Sequence, residues 1–536
     1  MPDQNPVNPL ILSIDLGTTA CKVGLVSPNG QIVAYVKEED ATPTLFGENG
    51  KAEQNPDDWW SVIIRNVRRL LKESGVIRER IVGVGVSAHW SGTVAVDESG
   101  KALGNALIWM DSRGAPYVDK ITGGFPQIEG YNAQKLITWL RLTGGMPTHS
   151  GKDSLAHILY LKHEETERYK AAYKLLEPKD YINLRLTGKM ASDYATITLY
   201  WMTDNRDVNH IHYHPKLLKW TDIDVLKLPE LYPTLHILGP LLPEVAAEMG
   251  VPAGIPVSMG TPDMHAPALG SGAVNDFEPH VYVGTSSWLS CHVPFKKTDV
   301  FHNMGSIPAA LPGRYFIANE QETAGVALTF LRNNLFFAHD DLPTGPAPSN
   351  AYALFDDLAK QAPVGSGGVI FTPWLYGERT PVEESTLRAG FYNLSLTTTR
   401  AEMVRSVLEG VAFNTRWLQQ YVEKLAGRPL SPIKFIGGGA LSDVWSQIFA
   451  DVLQRPIQQI KDPQAAGLRG VGVLAGLTLK LTTLQDYAHH VEIANIYHPN
   501  QEAMPIYDEL FNAFIAIYKQ NSNLYKKLNS RNRECR

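Results

Sequence analysis

The sequence predicts an α/β protein made of two similarly built domains. Short β-branched runs alternate with longer amphipathic runs along the 536 residues, which is typical of this class. The segment SIDLGTTACKVGLV at 13–26 also resembles HVYVGTSSWLSCHV at 280–293, since each is an apolar strand, a Gly-Thr turn and a second strand. This repetition indicates an internal duplication with a domain boundary near 260–272.

The composition excludes several classes of protein. Hydrophobic residues make up 44% and charged residues 19%, which is an ordinary globular mixture. The net charge of −6 argues against a broad basic surface for nucleic acid or an anionic membrane. Three cysteines in so long a chain form neither a disulfide framework nor a zinc pattern. With no signal peptide and no apolar stretch long enough for a bilayer, we expect a cytoplasmic protein without membrane partners.

The first elements follow from the spacing of apolar residues. Residues 10–15 and 20–26 are predicted strands on either side of a Gly-Thr-Thr turn. Residues 56–72 are a predicted helix, and strands are predicted at 81–87 and 93–96.

A long helix is predicted at 401–426. The pair Thr399 and Glu402 has the spacing of a capping box, in which each side chain satisfies a free backbone amide of the first turn. Apolar residues then recur on one face, at Met403, Val404, Val407, Leu408 and Val411.

The turn after the first strand has the parts of a phosphate loop. Gly17 lets the backbone approach a ligand, and the hydroxyls of Thr18 and Thr19 add donors to the amides of the turn. Asp15 is placed to hold Mg²⁺, which takes few protein carboxylates when it also binds phosphate oxygens. The alternative is an ordinary aspartate that caps the turn.

The second copy of this unit offers a matching turn at Gly284 and Thr285. Tyr282 stands there in the place that Asp15 occupies in the first copy. A duplication that keeps one carboxylate and loses the other predicts a cleft with a metal on one side only.

A glycine-rich turn at 437–439 follows a predicted strand and leads to a predicted helix at 443–453. Such a turn admits a flat ring or a phosphate close to the main chain. It is not the dinucleotide fingerprint, because Ser442 stands where the third glycine would be. Tight packing of the helix on the strand is the alternative.

Asp263 follows another strand end and comes directly after Pro262, which suits the first turn of a helix. The positive field of a helix N-terminus would favour the ionised carboxylate. Asp263 is therefore a candidate general base, with a simple helix-start acid as the alternative reading.

Trp90 and Trp109 both come just after strand ends. An indole can form an apolar floor for a sugar while neighbouring groups such as Asp111 and Arg113 bind its hydroxyls. The alternative is that the tryptophans belong to the core and that the acid and the arginine form a surface ion pair.

These pieces, in this order, resemble the FGGY family of carbohydrate kinases, and they are most similar to its xylulokinase branch. The similarity extends over roughly 10–477. It includes LLEPKDYINLRLTGKMASDYAT at 175–196, TPWLYGERTP at 372–381 and RAGFYNLSLTTTRAEMVRSVLEGVAF at 388–413.

The resemblance implies two ribonuclease-H-like domains of the actin and sugar-kinase superfold, with an active site in the cleft between them. Residues 1–268 would form the domain on the sugar side and 269–500 the domain on the ATP side, followed by a C-terminal helical tail at 501–536. The implied activity is ATP-dependent phosphorylation of a primary hydroxyl of a small sugar, either a ketopentose or a related polyol. The resemblance leaves a homodimer open.

The resemblance also assigns roles to individual residues. Asp15 would be associated with Mg²⁺, and Asp263 would be the catalytic base. The residues expected to bind ATP are Thr18, Thr19, Gly284, Thr285, Gly438, Gly439 and Ser442. Those expected around the sugar are Trp90, Ser91, Trp109, Asp263 and Met264.

The sequence departs from the xylulokinase pattern at the sugar site. Ser91 stands where a substrate-binding histidine is usual, and Met264 replaces an asparagine that would bind a sugar hydroxyl. We therefore expect D-xylulose to be a poor substrate. Two other functions remain as alternatives, an actin- or chaperone-like ATPase switch and a non-catalytic sugar sensor. Trp109 and Asp263 argue against the switch, and the retention of Asp15 with Asp263 argues against the sensor.

Overall fold

Two β-sheets, one from each half of the chain, form the framework of the molecule. The computed structural model describes residues 8–338, 340 and 345–529. The first sheet has the strand order β5-β6-β4-β1-β2-β3, and a short strand at Thr261–Pro262 also pairs with β4. Its strands are β1 (Leu10–Leu16), β2 (Ala20–Val26), β3 (Ile32–Glu39), β4 (Ile81–Ala88), β5 (Ile237–Pro240) and β6 (Pro256–Ser258).

The second sheet has the order β8-β7-β9-β10-β11. Its strands are β7 (His280–Val283), β8 (Ser287–Ser290), β9 (Ile433–Ile436), β10 (Ile457–Ile460) and β11 (Ile493–Tyr497). In each sheet an antiparallel hairpin is followed by a parallel strand next to the hairpin's first strand, β4 beside β1 and β9 beside β7. The shared topology confirms the predicted α/β class with two similar domains.

The two hairpins differ at one cross-strand pair. Asp15 lies opposite Lys22 in the first hairpin. Tyr282 lies opposite Trp288 in the second, where the two rings stack with centroids 4.0 Å apart. The first hairpin thus carries an ion pair where the second carries two aromatic rings.

The predicted helices are present with small changes at their ends. Helix α1 (Pro56–Ser74) starts after Asn55, whose side chain accepts a hydrogen bond from the Asp57 amide, and it buries Trp59 and Trp60. The later helices are α2 (His265–Gly270), α3 (Arg400–Ala426), α4 (Asp443–Leu453), α5 (Ala466–Thr478) and α6 (Met504–Asn529). The predicted capping box at the start of α3 is confirmed, with Thr399 and Glu402 each bonded to the other's backbone amide.

Helix α5 lies late in the chain but packs against the first sheet and against α2. Its contact with α2 is backbone to backbone. A Cβ added at Gly470 would lie 1.8 Å from the Ala266 carbonyl oxygen, and one added at Gly270 would lie 1.7 Å from the Ala466 carbonyl oxygen. Only glycine permits so close a crossing of the two helices.

Helix α6 completes the core of the second half. Tyr507, Phe511 and Phe514 are buried there. The Tyr507 hydroxyl donates to Glu409 at 2.8 Å and accepts from Arg405 at 3.0 Å, so this helix is fastened to α3. Residues 530–536 of the expected tail lie outside the described residues.

Shorter elements connect the two sheets and cover them. The other strands are Leu45–Phe46, Ala52–Gln54, Val94–Val96, Ala106–Leu107, Gln127–Ile128, Tyr131–Asn132, Lys174–Leu176, Ala191–Asp193, Thr203–Asp204, His212–Tyr213, Glu230–Tyr232, His292–Val293, Thr298–Asp299, Met304–Pro308, Tyr315–Ala318, Ile370–Thr372 and Gly390–Tyr392. The other α-helices are Ala115–Thr122, Ala133–Thr143, Ser154–His163, Thr166–Ala171, Pro178–Thr187, Pro215–Thr221, Pro243–Met249, Val326–Phe330, Ala351–Gln361 and Leu484–Ala488. Short 3₁₀ turns occur at Glu48–Gly50, Arg78–Arg80, Thr196–Tyr200, Val225–Lys227, Val300–His302, Ser366–Gly368, Gly439–Leu441 and Pro463–Ala465, and one π-helical segment at Leu331–Phe336. In the described part of the chain, every helix is too short or too polar to cross a membrane.

Candidate active site

Asp15 lies near the end of β1 and is buried. Its carboxylate accepts a hydrogen bond from Lys22 Nζ at 3.1 Å. Burial disfavours the charged form of Lys22, but the carboxylate of Asp15 raises the pKa of this lysine above its ordinary value. Helix α5 approaches from the other side, where a Cβ at Gly467 would lie 2.5 Å from an Asp15 carboxylate oxygen. The site therefore presents one carboxylate with one cation beside it.

Asp263 lies close enough to this ion pair for the charges to interact. Removal from water raises the pKa of Asp263 to about 8, the carboxylates of Asp15 and Glu320 add to the rise, and Lys22 opposes it. Tyr282 of the second hairpin also interacts electrostatically with Asp15, Lys22 and Asp263. The two predicted acids thus lie at the same end of the first sheet, with Tyr282 of the second hairpin within electrostatic reach.

The prediction that a helix N-terminus would keep Asp263 ionised was wrong. Pro262 belongs to the short strand that pairs with β4, and the helix begins only at His265. That helix has six residues, and Asp263 precedes its N-cap, Met264. The helix dipole is too short and too distant to outweigh the cost of removing the carboxylate from water.

The turn after β1 is tied to one of the predicted sugar-site tryptophans. Trp109 Nε1 donates to the Thr18 hydroxyl at 2.8 Å. The Thr18 carbonyl accepts from Gln54 Nε2 at 2.9 Å, while Thr19 is exposed. The indole of Trp109 and the turn therefore hold each other in place.

The turn of the second hairpin is braced by the segment that follows Thr323. The Ala324 amide donates to the Thr285 carbonyl at 2.9 Å, and the Gly325 amide donates to the Gly284 carbonyl at 2.8 Å. Thr285 itself is exposed, so its hydroxyl is available to a ligand.

The glycine-rich turn lies against the end of β7, beside the Gly284 turn. Gly437 has φ +92°, and a Cβ there would lie 2.5 Å from the Val283 carbonyl oxygen. Gly439 packs against the Val283 side chain, which a Cβ would approach to 2.6 Å. Gly438 is exposed, with Gln464 Nε2 at 3.7 Å from the place of its Cβ. Gly439 is thus required by packing, and Gly438 is the glycine that is open to a ligand.

Ser442 is the N-cap of α4. Its side chain accepts from the Trp445 amide at 3.0 Å and donates to Asp356 at 2.7 Å. This hydroxyl stabilises the start of the helix that follows the glycine turn.

The predicted sugar-side residues come together around the loop after β4. Trp90 Nε1 donates to the Thr196 carbonyl at 2.8 Å, which fixes an indole that remains partly exposed. Ser91 adopts φ +62°, and its hydroxyl donates to the Lys152 carbonyl at 2.6 Å. Met264 packs partly buried against the apolar cluster of Ala268, Ala309 and Phe316.

Two buried histidines flank this loop. His89 packs edge-on against Trp59, and His265 packs edge-on against Trp90. No side chain or backbone group in the described structure hydrogen-bonds the ring nitrogens of His265. Burial lowers the pKa of His89 to about 4 and that of His265 to about 3, so both rings are neutral near pH 7.

Asp111 and Arg113 form a structural network. Asp111 is fully buried and accepts from the Ala52 amide at 3.0 Å. Arg113 bonds both Asp111 and Glu53, so its donors are used inside the first domain. Two expectations were stated for this pair, that it binds sugar hydroxyls or that it forms an ion pair on the surface. The structure shows neither, because the two residues form a buried ion pair.

Sequence reasoning missed Lys22 and a group of charged residues from distant segments, Lys152, Glu320, Glu322 and Arg379. Lys22 had a signal, since it is the one cation in the strand ACKVGLV. The other four are joined only by the tertiary structure.

The fold is an α/β protein with two similarly built halves, and Asp15, Lys22 and the segment before Asp263 lie in the first sheet. Residues 10–270 match the N-terminal domain of the FGGY family of carbohydrate kinases, and residues 281–479 match the C-terminal domain of that family. A xylulose kinase from Staphylococcus epidermidis is 26% identical over 97% of this chain and 98% of its own. A gluconokinase from Bacillus subtilis is 25% identical over 97% of both chains. The crystal structure of gluconate kinase from Lactobacillus acidophilus superposes with a TM-score of 0.82 at 25% identity, covering 97% of this chain and 99% of that chain.

The chain belongs to the FGGY family of carbohydrate kinases. It is therefore an enzyme that phosphorylates a sugar with ATP, and neither an ATPase switch nor a non-catalytic sensor is favoured.

Proposed function

We propose that this kinase transfers the γ-phosphoryl group of ATP to a primary hydroxyl of a ketopentose or a related polyol, with Asp263 as the general base. The observation that supports the proposal is that Asp263 lies at the same end of the first sheet as the Asp15–Lys22 ion pair and interacts with it electrostatically. The FGGY relatives that are named xylulose kinase support the choice of a ketopentose.

Asp263 accepts the proton of the attacking hydroxyl. Its pKa of about 8 makes the ionised carboxylate a stronger base than an ordinary aspartate, and the ionised fraction, and with it the activity, should increase as the pH rises towards 8. General base assistance of this kind is typically worth about 10²–10⁴ in rate.

Lys22 and the two hairpin turns would receive the phosphates. The ammonium of Lys22 supplies positive charge beside Asp15, and the amides and hydroxyls at Thr18, Thr19, Gly284 and Thr285 supply donors. Asp15 fits an associated Mg²⁺, because this ion needs few protein carboxylates when it keeps water and phosphate oxygens. The ion would neutralise charge on the phosphates.

The adenosine would lie at the exposed Gly438, next to Gly439 and the N-cap Ser442. The sugar would lie against Trp90 and Trp109, and the Trp109–Thr18 hydrogen bond supports a sugar wall directly beside the phosphate turn. Met264 and Ser91 would shape the remainder of the pocket. The division into a sugar side at 1–268, an ATP side at 269–500 and a C-terminal helical tail at 501–536 stays a prediction, as does a homodimer.

A screen for ADP release across ketopentoses, ketohexoses and polyols tests this function. We expect ADP release to require one of these acceptors and Mg²⁺. Equal release with and without every acceptor would contradict sugar phosphorylation and would favour an ATPase switch.

A further inference from the structure

Four charged side chains form a cluster that bridges the two halves of the chain. Arg379 Nη2 lies 2.9 Å from Glu322 Oε1, and Arg379 Nη1 pairs with Glu320. Lys152 of the first half lies 3.9 Å from the same Glu322 carboxylate. We call Lys152, Glu320, Glu322 and Arg379 the charged cluster.

The backbone that carries this cluster is held by buried groups. Glu378 is buried, and its carboxyl accepts from the Glu322 amide at 3.0 Å and from the Arg379 amide at 2.8 Å. Thr380 Oγ1 donates to the Glu320 carbonyl at 2.7 Å. The segments 320–322 and 378–380 are therefore held against each other. A binding surface requires such a fixed backbone, whereas an ion pair in solvent does not.

The charged cluster borders the proposed sugar site on two sides. The Ser91 hydroxyl donates a hydrogen bond to the backbone carbonyl of Lys152. This bond connects the charged cluster to the loop that carries Trp90. On the other side, the charge of Glu320 acts on Asp263. A sugar placed between Trp90 and Asp263 would have the charged cluster next to it.

We propose that the charged cluster forms one wall of the sugar site, with residues from both halves of the chain, and that it selects neutral polyhydroxy sugars over sugar acids. This inference rests on the proposed function. The carboxylates of Glu320 and Glu322 have lone pairs beyond those used by Arg379, so they accept hydrogen bonds from sugar hydroxyls. Lys152 donates to a hydroxyl or carbonyl oxygen, and Arg379 acts as a positioning residue that holds the two carboxylates.

The charge balance gives the selectivity. The cluster contains two cations and two carboxylates, and the neighbouring Lys22 is paired with Asp15. The side chain of Lys152 is 31% exposed, and its partial burial lowers its pKa. A sugar carboxylate entering this region would find each of these cations already paired, and it would lie close to Asp263 and Asp15. Removing such a charge from water without a partner is strongly unfavourable.

Isothermal titration calorimetry with a non-hydrolysable ATP analogue tests the inference on the whole protein. The probes are D-xylulose, xylitol and D-gluconate. We expect one of the neutral probes to bind at least about tenfold more tightly than D-gluconate, a difference that one lost charged hydrogen bond would produce. Glu322→Gln should lower the affinity for the neutral probe about tenfold and so reduce the ratio of its affinity to that for D-gluconate. The affinity for the ATP analogue should not change.

Glu492→Gln is the matched control, because Glu492 is exposed and pairs only with Lys461 among the contacts described. It should leave all affinities unchanged. Lys152→Gln is the second variant in case Glu322→Gln does not fold, and it should also weaken the neutral probe. Tighter binding of D-gluconate by the wild-type protein, or unchanged selectivity in the folded variants, would overturn the inference.

The same preparations separate this inference from the proposed function. Neutral probes that bind selectively but never release ADP would contradict the kinase chemistry and support the charged cluster. The opposite outcome is ADP release that depends on sugar, while the preference for neutral sugars over D-gluconate is the same in Glu322→Gln and Lys152→Gln as in the wild type. That result would support the kinase activity and contradict the role proposed for the charged cluster.

Discussion

Lys22 lies directly across the first hairpin from Asp15, with its ammonium 3.1 Å from the carboxylate. The equivalent pair in the second hairpin is Tyr282 stacked on Trp288. The first hairpin thus carries an ion pair at this position, while the second carries two stacked aromatic rings. Asp263 lies within electrostatic reach of both.

Asp263→Asn should lower kcat by about 10²-fold or more, because the attacking hydroxyl loses its proton acceptor. The affinity for ATP should change little, since the glycine turn at Gly438 is separate from Asp263. Steady-state kinetics on the best sugar of the screen measure both quantities. Asp207→Asn, at an exposed acid that pairs with His210, is the control and should behave as wild type. Near-normal turnover of Asp263→Asn would rule out Asp263 as the base.

The stability of the protein should depend on pH through Asp263. The pKa of this carboxyl is about 8 in the folded protein against an ordinary 3.8, so between these values the folded state holds a proton that the unfolded chain has released. The stabilising contribution of that proton is complete below about pH 4 and is lost as the pH rises through about 8.

Since Asp263→Asn cannot ionise, the Tm of the wild type relative to this variant should fall steadily from pH 4 to pH 9. Differential scanning calorimetry across this range measures the difference. A difference that does not change with pH would show that Asp263 has an ordinary pKa.

Lys22→Met should lower kcat by about 10²–10³-fold, the range seen when one preorganised donor to a developing charge is removed. It should also shift the acidic limb of the kcat/KM profile to higher pH, because Lys22 lowers the pKa of Asp263, which must be ionised to act as the base. Lys22→Arg keeps the charge and should recover part of the activity. An unchanged profile in the methionine variant would contradict electrostatic coupling between Lys22 and Asp263.

Two neighbouring glycines should respond differently to alanine. Gly439→Ala should destabilise the protein by about 1–3 kcal/mol, because its Cβ would come within 2.6 Å of the Val283 side chain. Gly438→Ala should leave Tm nearly unchanged but raise KM for ATP, since its Cβ would project into open space at the turn. Thermal melts and ATP kinetics on both variants separate packing from nucleotide binding. Unchanged KM for ATP in Gly438→Ala would remove this turn from the proposed site.

D-xylulose should have a lower kcat/KM than another sugar in the screen. Ser91 already uses its hydroxyl on the Lys152 carbonyl, and Met264 packs with apolar neighbours, so neither offers the expected hydrogen bond. The neutral rings of His89 and His265 are packed against tryptophans. Met264→Asn should raise kcat/KM for D-xylulose relative to the other sugars. A wild-type kcat/KM that is highest for D-xylulose would show that other groups replace the lost contacts.

The fold could be predicted from the sequence where local patterns determine it. The hairpin at 13–26, its echo at 280–293 and the capping box of α3 depend on neighbours in the chain, and each was predicted within a few residues.

The missed features depend on contacts between distant segments. The pKa of Asp263 is raised by burial, then by the carboxylates of Asp15 and Glu320, so the expectation that a helix N-terminus would lower this pKa was wrong. Arg379 meets Glu320 and Glu322 only after folding. Gly438 and Gly439 are adjacent and chemically identical, and only the position of Val283 distinguishes them.

The crossing of α5 over α2 has a consequence for synthesis of the protein. Helix α5 places Gly467 against Asp15 and Gly470 against the helix that follows Asp263, and its Arg469 bonds the carbonyls of Gly30 and Gly270. Both acids are encoded in the first half of the chain. Helix α5, which supports them, begins at residue 466, some two hundred residues after Asp263. A nascent chain on the ribosome therefore holds Asp15, Lys22 and Asp263 long before α5 can support them, and premature termination before α5 would yield a protein with both acids but without that support.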